Sequence, residues 1–163
     1  MSDTKTQLIA TLTQERQDLL TALEPLSAEA LNAEDVVGTW SIKNVLAHLT
    51  AWENVVVGFL PERIATGKRP AIFDQINEDD DEDGWNAKVV QSAAHLTPQE
   101  QLAAFAAARD DMLRLIGSLD EATLDRDHPW SSWDGTVAEY ILASVGNHER
   151  EHREAILAAI QHN

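Results

Sequence analysis

Two histidines four residues apart, His148 and His152 in Asn147-His-Glu-Arg-Glu-His152, carry the strongest chemical signal in this chain. On a helix that spacing stacks both imidazoles on one face. The face reads Val137, Ile141, Val145, His148, His152, Ala155 or Ile156, and Ala159, so the imidazoles stand where core aliphatics are expected. Burying both without partners costs several kcal/mol, at ~1–3 kcal/mol for each unpaired polar group. A metal ion satisfies both at once. A third imidazole, His48, lies between Val45 and Trp52 on the inward side of an earlier helical segment. One histidine from that helix and the pair from the last could meet on one side of an ion, as helical bundles build metal sites from facing helices. Their nitrogens are then expected within ~2.0–2.2 Å of a common ion position. Spacing alone also fits a surface pair and a hydrogen-bonded core histidine, and it leaves both readings open.

Three neutral imidazoles leave a divalent ion its full charge and at least one open position. Zinc, nickel, iron or manganese suit such ligands, with zinc or nickel preferred here. Water at the open position is acidified toward a pKa of ~7, and a thiol there is deprotonated. Two enzyme readings follow. One is hydrolysis of a small electrophilic or toxic molecule. The other is transfer of a low-molecular-weight thiol to such a molecule. The chain has no cysteine, so any thiol comes from outside and disulfides are excluded. The competing class is non-catalytic: a small-molecule-binding protein or a metal-stabilised stress protein. Trp52, one turn after His48, is the residue to wall the site. Glu53 is a candidate base or a partner of a ligand, although an exposed position is the plainer expectation. His95, His128 and His162 read as surface or connector residues. No glycine-rich phosphate loop and no G-x-S-x-G elbow occurs. Asp79-Asp-Asp-Glu-Asp-Gly84 imitates the start of an EF-hand loop, but Val90 stands where the bidentate glutamate belongs. The run reads as a solvated, mobile loop.

These residues need helices to position them, and the apolar spacing predicts helices throughout. The first runs from about residue 3 to 23, with Leu8, Leu12, Leu19 and Leu23 on one face. Residues 25–38 read as a connector holding one helical turn near Ser27. Ser41 caps a second helix, whose stripe is Ile42, Val45, Leu46, Leu49, Trp52, Val56, Phe59 and Leu60, and Gly67 closes it. Residues 69–83 read as a loop. Helix resumes near Trp85, breaks at Thr97-Pro98, and runs on to Gly117. Residues 118–135 form a second connector. Thr136 and Glu139 then make a capping box for the last helix, which runs to about residue 160. No strand-like alternation appears. The expected fold is all-α, a four-helix bundle with two long connectors, in one domain over residues 1–163.

The 28 acidic against 12 basic residues give a net charge of −16. A phosphate backbone or an anionic membrane would be repelled by most of such a surface, so neither nucleic acid nor membrane is expected as a partner. A small-molecule substrate is. No apolar run approaches the ~18 residues that span a bilayer. The N-terminus, MSDTKTQLIATL, lacks the basic start and apolar stretch of a signal peptide. A cytoplasmic location is the expectation.

Gly38-Thr-Trp-Ser-Ile-Lys-Asn-Val-Leu-Ala-His-Leu-Thr-Ala-Trp-Glu53 resembles the second-helix signature of the DinB-like (YfiT-like) superfamily. The resemblance implies an up-down-down-up bundle in which three histidines hold a divalent metal. One comes from the second helix and two from an H-x-x-x-H in the last. His48, His148 and His152 match these positions one by one. It also implies thiol-dependent transfer as one activity, with a low-molecular-weight thiol as co-substrate, and a homodimer. Trp85-Asn86, Pro129-Trp130 and Trp133 resemble the branch of ClbS/DfsB type, whose members include a self-protection protein. The intact triad here favours the metal-binding majority of the superfamily.

Overall fold

The computed structural model describes residues 3–78, 81–127 and 134–161, without the side chains of residues 77, 78 and 81. His128, Trp130, Trp133, His162, Asp79 and Asp80, each singled out above, lie outside the described residues. Helix α1 spans Thr4–Leu23, and the Asp3 carboxylate accepts from the Thr6 N–H at its start. The expected turn is α2, Ala28–Asn32, capped by Ser27. Helix α3, Ile42–Thr66, opens at Ser41 and ends at Gly67, whose φ of 70° is the left-handed closure expected of glycine.

Residues 69–83 differ from the expected loop. They hold α4, Ile72–Glu78, and the start of α5, Asp81–Ser92. Ile72, Phe73 and Ile76 fall on one helical face, and they account for α4. Phe73 lies 5.4 Å from the Phe59 ring and Ile76 is buried. Acidic residues at the start of α5 suit the positive end of its dipole, so a charge run that resembles a loop begins a helix instead. Asp83 and Gly84 lie inside α5, which removes the EF-hand-like loop.

Helix α6, Pro98–Ser118, begins where expected, with a full Thr97–Glu100 capping box and proline in its first turn. The second connector contains a short α7, Glu121–Leu124. The last helix starts at the Thr136–Glu139 capping box as α8, Val137–Ile141. It continues through a π-helical stretch, Leu142–Asn147, into α9, His148–Gln161. A Cβ on Gly146 would stand 3.0 Å from Leu12 Cδ2, so glycine there lets the last helix approach α1. Among the described residues there is no strand, only the single bridges Val37–Trp40 and Asp127–Thr136. The fold is all-α.

One layer of the core is charged. Arg16, Glu53, Arg109 and Glu149 are 5%, 4%, 3% and 2% exposed, and they come from α1, α3, α6 and α9 in turn. Arg16 Nη2 donates to Glu53 Oε2 at 2.6 Å, and Arg16 Nε donates to Glu149 Oε1 at 2.9 Å. Arg109 Nε donates to Glu53 Oε1 at 2.6 Å, and Arg109 Nη2 pairs with Glu149 Oε2. The spare guanidinium nitrogens donate to the Phe105 and Leu12 carbonyls, and Arg16 stacks on the Phe105 ring. The layer divides two apolar clusters. Leu12, Val56, Met112 and Val145 belong to one, and Leu19, Leu49, Phe105 and Ile156 to the other. Glu53 is therefore buried, against the expectation of an exposed position.

Arg109→Met should cost about 3–5 kcal/mol, because it leaves two buried carboxylates to share one guanidinium. Urea denaturation reads this as a lower midpoint at unchanged slope. Replacing all four charges by apolar residues of similar volume should recover much of the loss, since the desolvation penalty goes with them.

Candidate metal centre

His48 comes from α3, His148 and His152 from α9. Ligand-capable atoms of all three lie within 4.8 Å of one another. The rings form a nearly equilateral triangle, with centroid separations of 5.0, 4.9 and 4.9 Å. Nε2 of His48 stands 3.0 Å from Nε2 of His148. Two ligands of one first-row ion, each bound at ~2.0–2.1 Å, stand about 3–3.4 Å apart. The structure thus brings together the three histidines that the sequence singled out.

The π-helical stretch decides how the last helix aims its side chains. In the regular pattern His148 and His152 continue the inward stripe. The wider turn brings Glu149 to the centre of the core instead, between Val145 and Ile156, and leaves both histidines half-buried at its flank. Such π insertions recur at functional sites because they re-aim one turn without ending the helix. Nothing in the apolar period announces this one.

Burial pushes His48 down to about 3, and the charges of His148 and His152 push it the same way, against the hydrogen bond that Nδ1–H donates to Asn86 Oδ1, which raises it. Burial likewise pushes His148 down to about 4, helped by His152. Burial lowers His152 as well, with Glu151 opposing. All three imidazoles are therefore neutral near pH 7, as metal ligation requires. Neutral, converging nitrogens with no lysine or arginine among them fit a divalent cation.

Asn86 escaped the sequence reading as a site residue. Its Oδ1 accepts from Trp52 Nε1–H at 2.8 Å and faces His48 Nδ1 at 3.1 Å. The only signal was its place in Trp85-Asn86, and no spacing rule ties it to His48. Trp52 lies where expected, its ring 6.4 Å from His48 and 4.6 Å from Trp85. A pocket of about 340 Å³ opens beside His48 and His148. Trp52, Phe59, Phe73 and Tyr140 give it aromatic walls, Asn86 and Ser144 polar ones, and Glu82 and Glu151 an acidic lip. Burial raises the Tyr140 hydroxyl above its usual range, which keeps it protonated. Glu53 does not join the imidazoles through a hydrogen bond among the described contacts; both its oxygens are taken by Arg16 and Arg109. His95 is exposed, with Nδ1 donating to the Ser92 carbonyl.

Residues 11–156 match the DinB superfamily. No curated protein matches the chain by sequence. Among solved structures, DfsB, the sibling lethal factor precursor, is 16% identical with a TM-score of 0.79, covering 99% of this chain and 97% of its own. An uncharacterised protein from Escherichia coli UTI89 is 15% identical with a TM-score of 0.78, covering 100% and 96%. The colibactin self-resistance protein ClbS, crystallised in complex with dsDNA, is 16% identical with a TM-score of 0.77, covering 96% and 95%. The ClbS complex corrects the expectation that excluded nucleic acid as a partner. Net charge is a sum over the whole surface, whereas docking is decided by local groups, and a protein of similar fold is seen with duplex DNA. Among the described residues no helix is long and apolar enough to cross a membrane.

The histidine shifts set a pH dependence for the metal-free protein. The folded values lie below the ordinary 6.5, near 3 for His48 and 4 for His148. Between those values the unfolded chain binds protons that the folded chain does not, so stability falls as pH drops from about 6.5 toward 4. Urea midpoints at pH 7 and pH 5 should show the fall, and a His48→Gln, His148→Gln double variant should flatten it.

Proposed function

The chain belongs to the DinB superfamily, and on that premise we propose that it is a divalent-metal-dependent enzyme acting on a small electrophilic molecule. The observation that carries this reading is the convergence of three neutral imidazoles at the wall of a pocket of about 340 Å³. His48, His148 and His152 would hold the ion. An ion there supplies Lewis acidity and lowers the pKa of a water or thiol in its open position. Zinc or nickel is the preferred occupant, with iron and manganese as alternatives.

The chain's own groups do the rest. Trp52, Phe59, Phe73 and Tyr140 bind an apolar or flat substrate body and keep water from it. Tyr140, protonated, holds a hydroxyl proton beside Ser144. Glu82 and Glu151 disfavour anions, so a neutral or cationic substrate fits best. Glu53 acts on this site through the charged layer that fixes α3, because its oxygens are already engaged. Hydrolysis and transfer of an external thiol both fit, and the lack of cysteine places any thiol in the co-substrate.

A second reading is favoured by the likeness to ClbS and DfsB along nearly the whole chain. It is a non-catalytic small-molecule-binding or self-protection protein, for which the same pocket is the binding site. Duplex DNA belongs in its test, since ClbS is seen with it.

His148→Ala should abolish stoichiometric binding of zinc or nickel, measured by elemental analysis, because two neutral ligands hold an ion poorly. Its effect on the urea midpoint should be far smaller than that of Arg109→Met, since His148 is half-buried and Val145 and Ile156 remain. Metal-loaded wild type should turn over small electrophiles with water or an added thiol, and the variant should not. Retention of metal by the variant would remove the basis of the enzyme reading in favour of the second. A mobility-shift assay with duplex DNA tests the binding seen for ClbS.

A further inference from the structure

We propose that Asn86 is a positioning residue that fixes the tautomer of His48, and that His148 changes tautomer when an ion binds. The second half rests on the metal reading above; the first half does not. Trp52 fixes the orientation of the Asn86 amide. An indole N–H can only donate. It lies 2.8 Å from one terminal atom of the Asn86 amide, so that atom must be the oxygen. The orientation of the amide, often ambiguous, is thereby settled by chemistry.

The same oxygen lies 3.1 Å from His48 Nδ1. An amide oxygen only accepts, so Nδ1 must carry the proton. A neutral imidazole carries a single N–H, and here the Asn86 oxygen holds it at Nδ1. The other nitrogen of His48, Nε2, is therefore bare. That lone pair faces His148 Nε2 at 3.0 Å. Two bare nitrogens at this distance repel, so in the metal-free protein His148 Nε2 carries a proton and donates it to His48. An ion that takes both Nε2 lone pairs must displace this proton. His148 stays neutral by accepting a proton at Nδ1 from water as Nε2 gives its own to water. No net proton is released, and the His48 tautomer is unchanged.

Asn86 belongs to α5, which supplies no ligand. Its place is held by buried Trp85, whose ring packs on Trp52, and by Lys43, whose ammonium donates to the Ala94 and Leu96 carbonyls beyond the end of α5. Docking of α5 on α3 thus presets one ligand from outside the ligand helices. Partners of this kind typically change metal affinity 10–100-fold when removed.

The test is nitrogen NMR of the histidine rings in the full chain. Metal-free wild type should show His48 protonated at Nδ1 and His148 at Nε2. Addition of Zn2+ should move His148 to Nδ1–H and leave His48 unchanged. In Asn86→Leu, His48 should populate both tautomers and zinc affinity should fall about 10–100-fold. Asn86→Asp keeps an acceptor oxygen and should restore the Nδ1–H tautomer; a residue that only fills space would give no such rescue. Circular dichroism checks that both variants fold, and if neither does, the wild-type tautomers decide. His48 protonated at Nε2 in metal-free wild type, or an unaltered tautomer in Asn86→Leu, overturns the assignment to Asn86. Zinc binding without a change at His148 overturns the switch. Failure of wild type to bind zinc, with His48 still protonated at Nδ1, would sink the metal reading and with it the switch, while the role of Asn86 would stand.

Discussion

Two guanidinium groups and two carboxylates, closed on one another between two apolar clusters, link α1, α3, α6 and α9 at one level of the bundle. Taking four charges out of water is expensive, and their attraction offsets the expense only if every pairing is made. Apolar contacts tolerate a helix that slides or turns by a fraction of a residue. The charged layer does not, since each helix carries one group that must find two others. Such a layer generally adds little net stability over an apolar one, and all of its pairings form together only with the four helices at their present levels. In this chain the layer ties the helix that carries His48 to the helix that carries His148 and His152.

The histidine site borrows that precision. Glu53 follows His48 by five residues, and Glu149 is the direct neighbour of His148. Fixing the two glutamates at the core's centre fixes the imidazoles at its flank, where they meet one another and border a pocket. The π-helical stretch is the local adjustment that makes both placements compatible. With it, Glu149 turns fully inward and the histidines keep access to the pocket. The helix α5 completes the arrangement from the other side, bringing Asn86 to His48 and Trp85 to Trp52.

The chemistry follows from the same division of labour. Burial keeps the imidazoles neutral and so available as ligands, while the pocket remains open to a small molecule. The aromatic walls and acidic lip suit a neutral or cationic molecule with an apolar or flat body. The likeness to ClbS and DfsB extends along the whole bundle, so it speaks for the frame and leaves the pocket to be judged on its own residues.

Local physics was legible in the sequence. Asp3, Ser27, Ser41, Thr97 and Thr136 cap helices because their side chains reach nearby backbone donors, and apolar residues at helical spacing mark the faces that pack. The four-residue spacing of His148 and His152, and the inward place of His48, were readable for the same reason. Where local signals conflicted, reading by type failed: the acidic run hid α4 and the start of α5, although Ile72, Phe73 and Ile76 kept a helical spacing. The charged layer also left a trace, because Arg16, Glu53 and Arg109 each interrupt an apolar stripe at helical spacing, whereas Glu149 reaches the core only through the π-helical stretch. One interruption is uninformative alone, since it could face solvent, and only the meeting of four helices made these four neutralise one another. The same meeting brought Asn86 to His48 across 38 residues and placed Glu149 ahead of the histidines at the centre of the core. Caps and periodicity are properties of neighbours along the chain, so the sequence determined the helices and which of them carry the three histidines. Pairing, burial and tautomer depend on groups distant in sequence, so only the tertiary structure decided them.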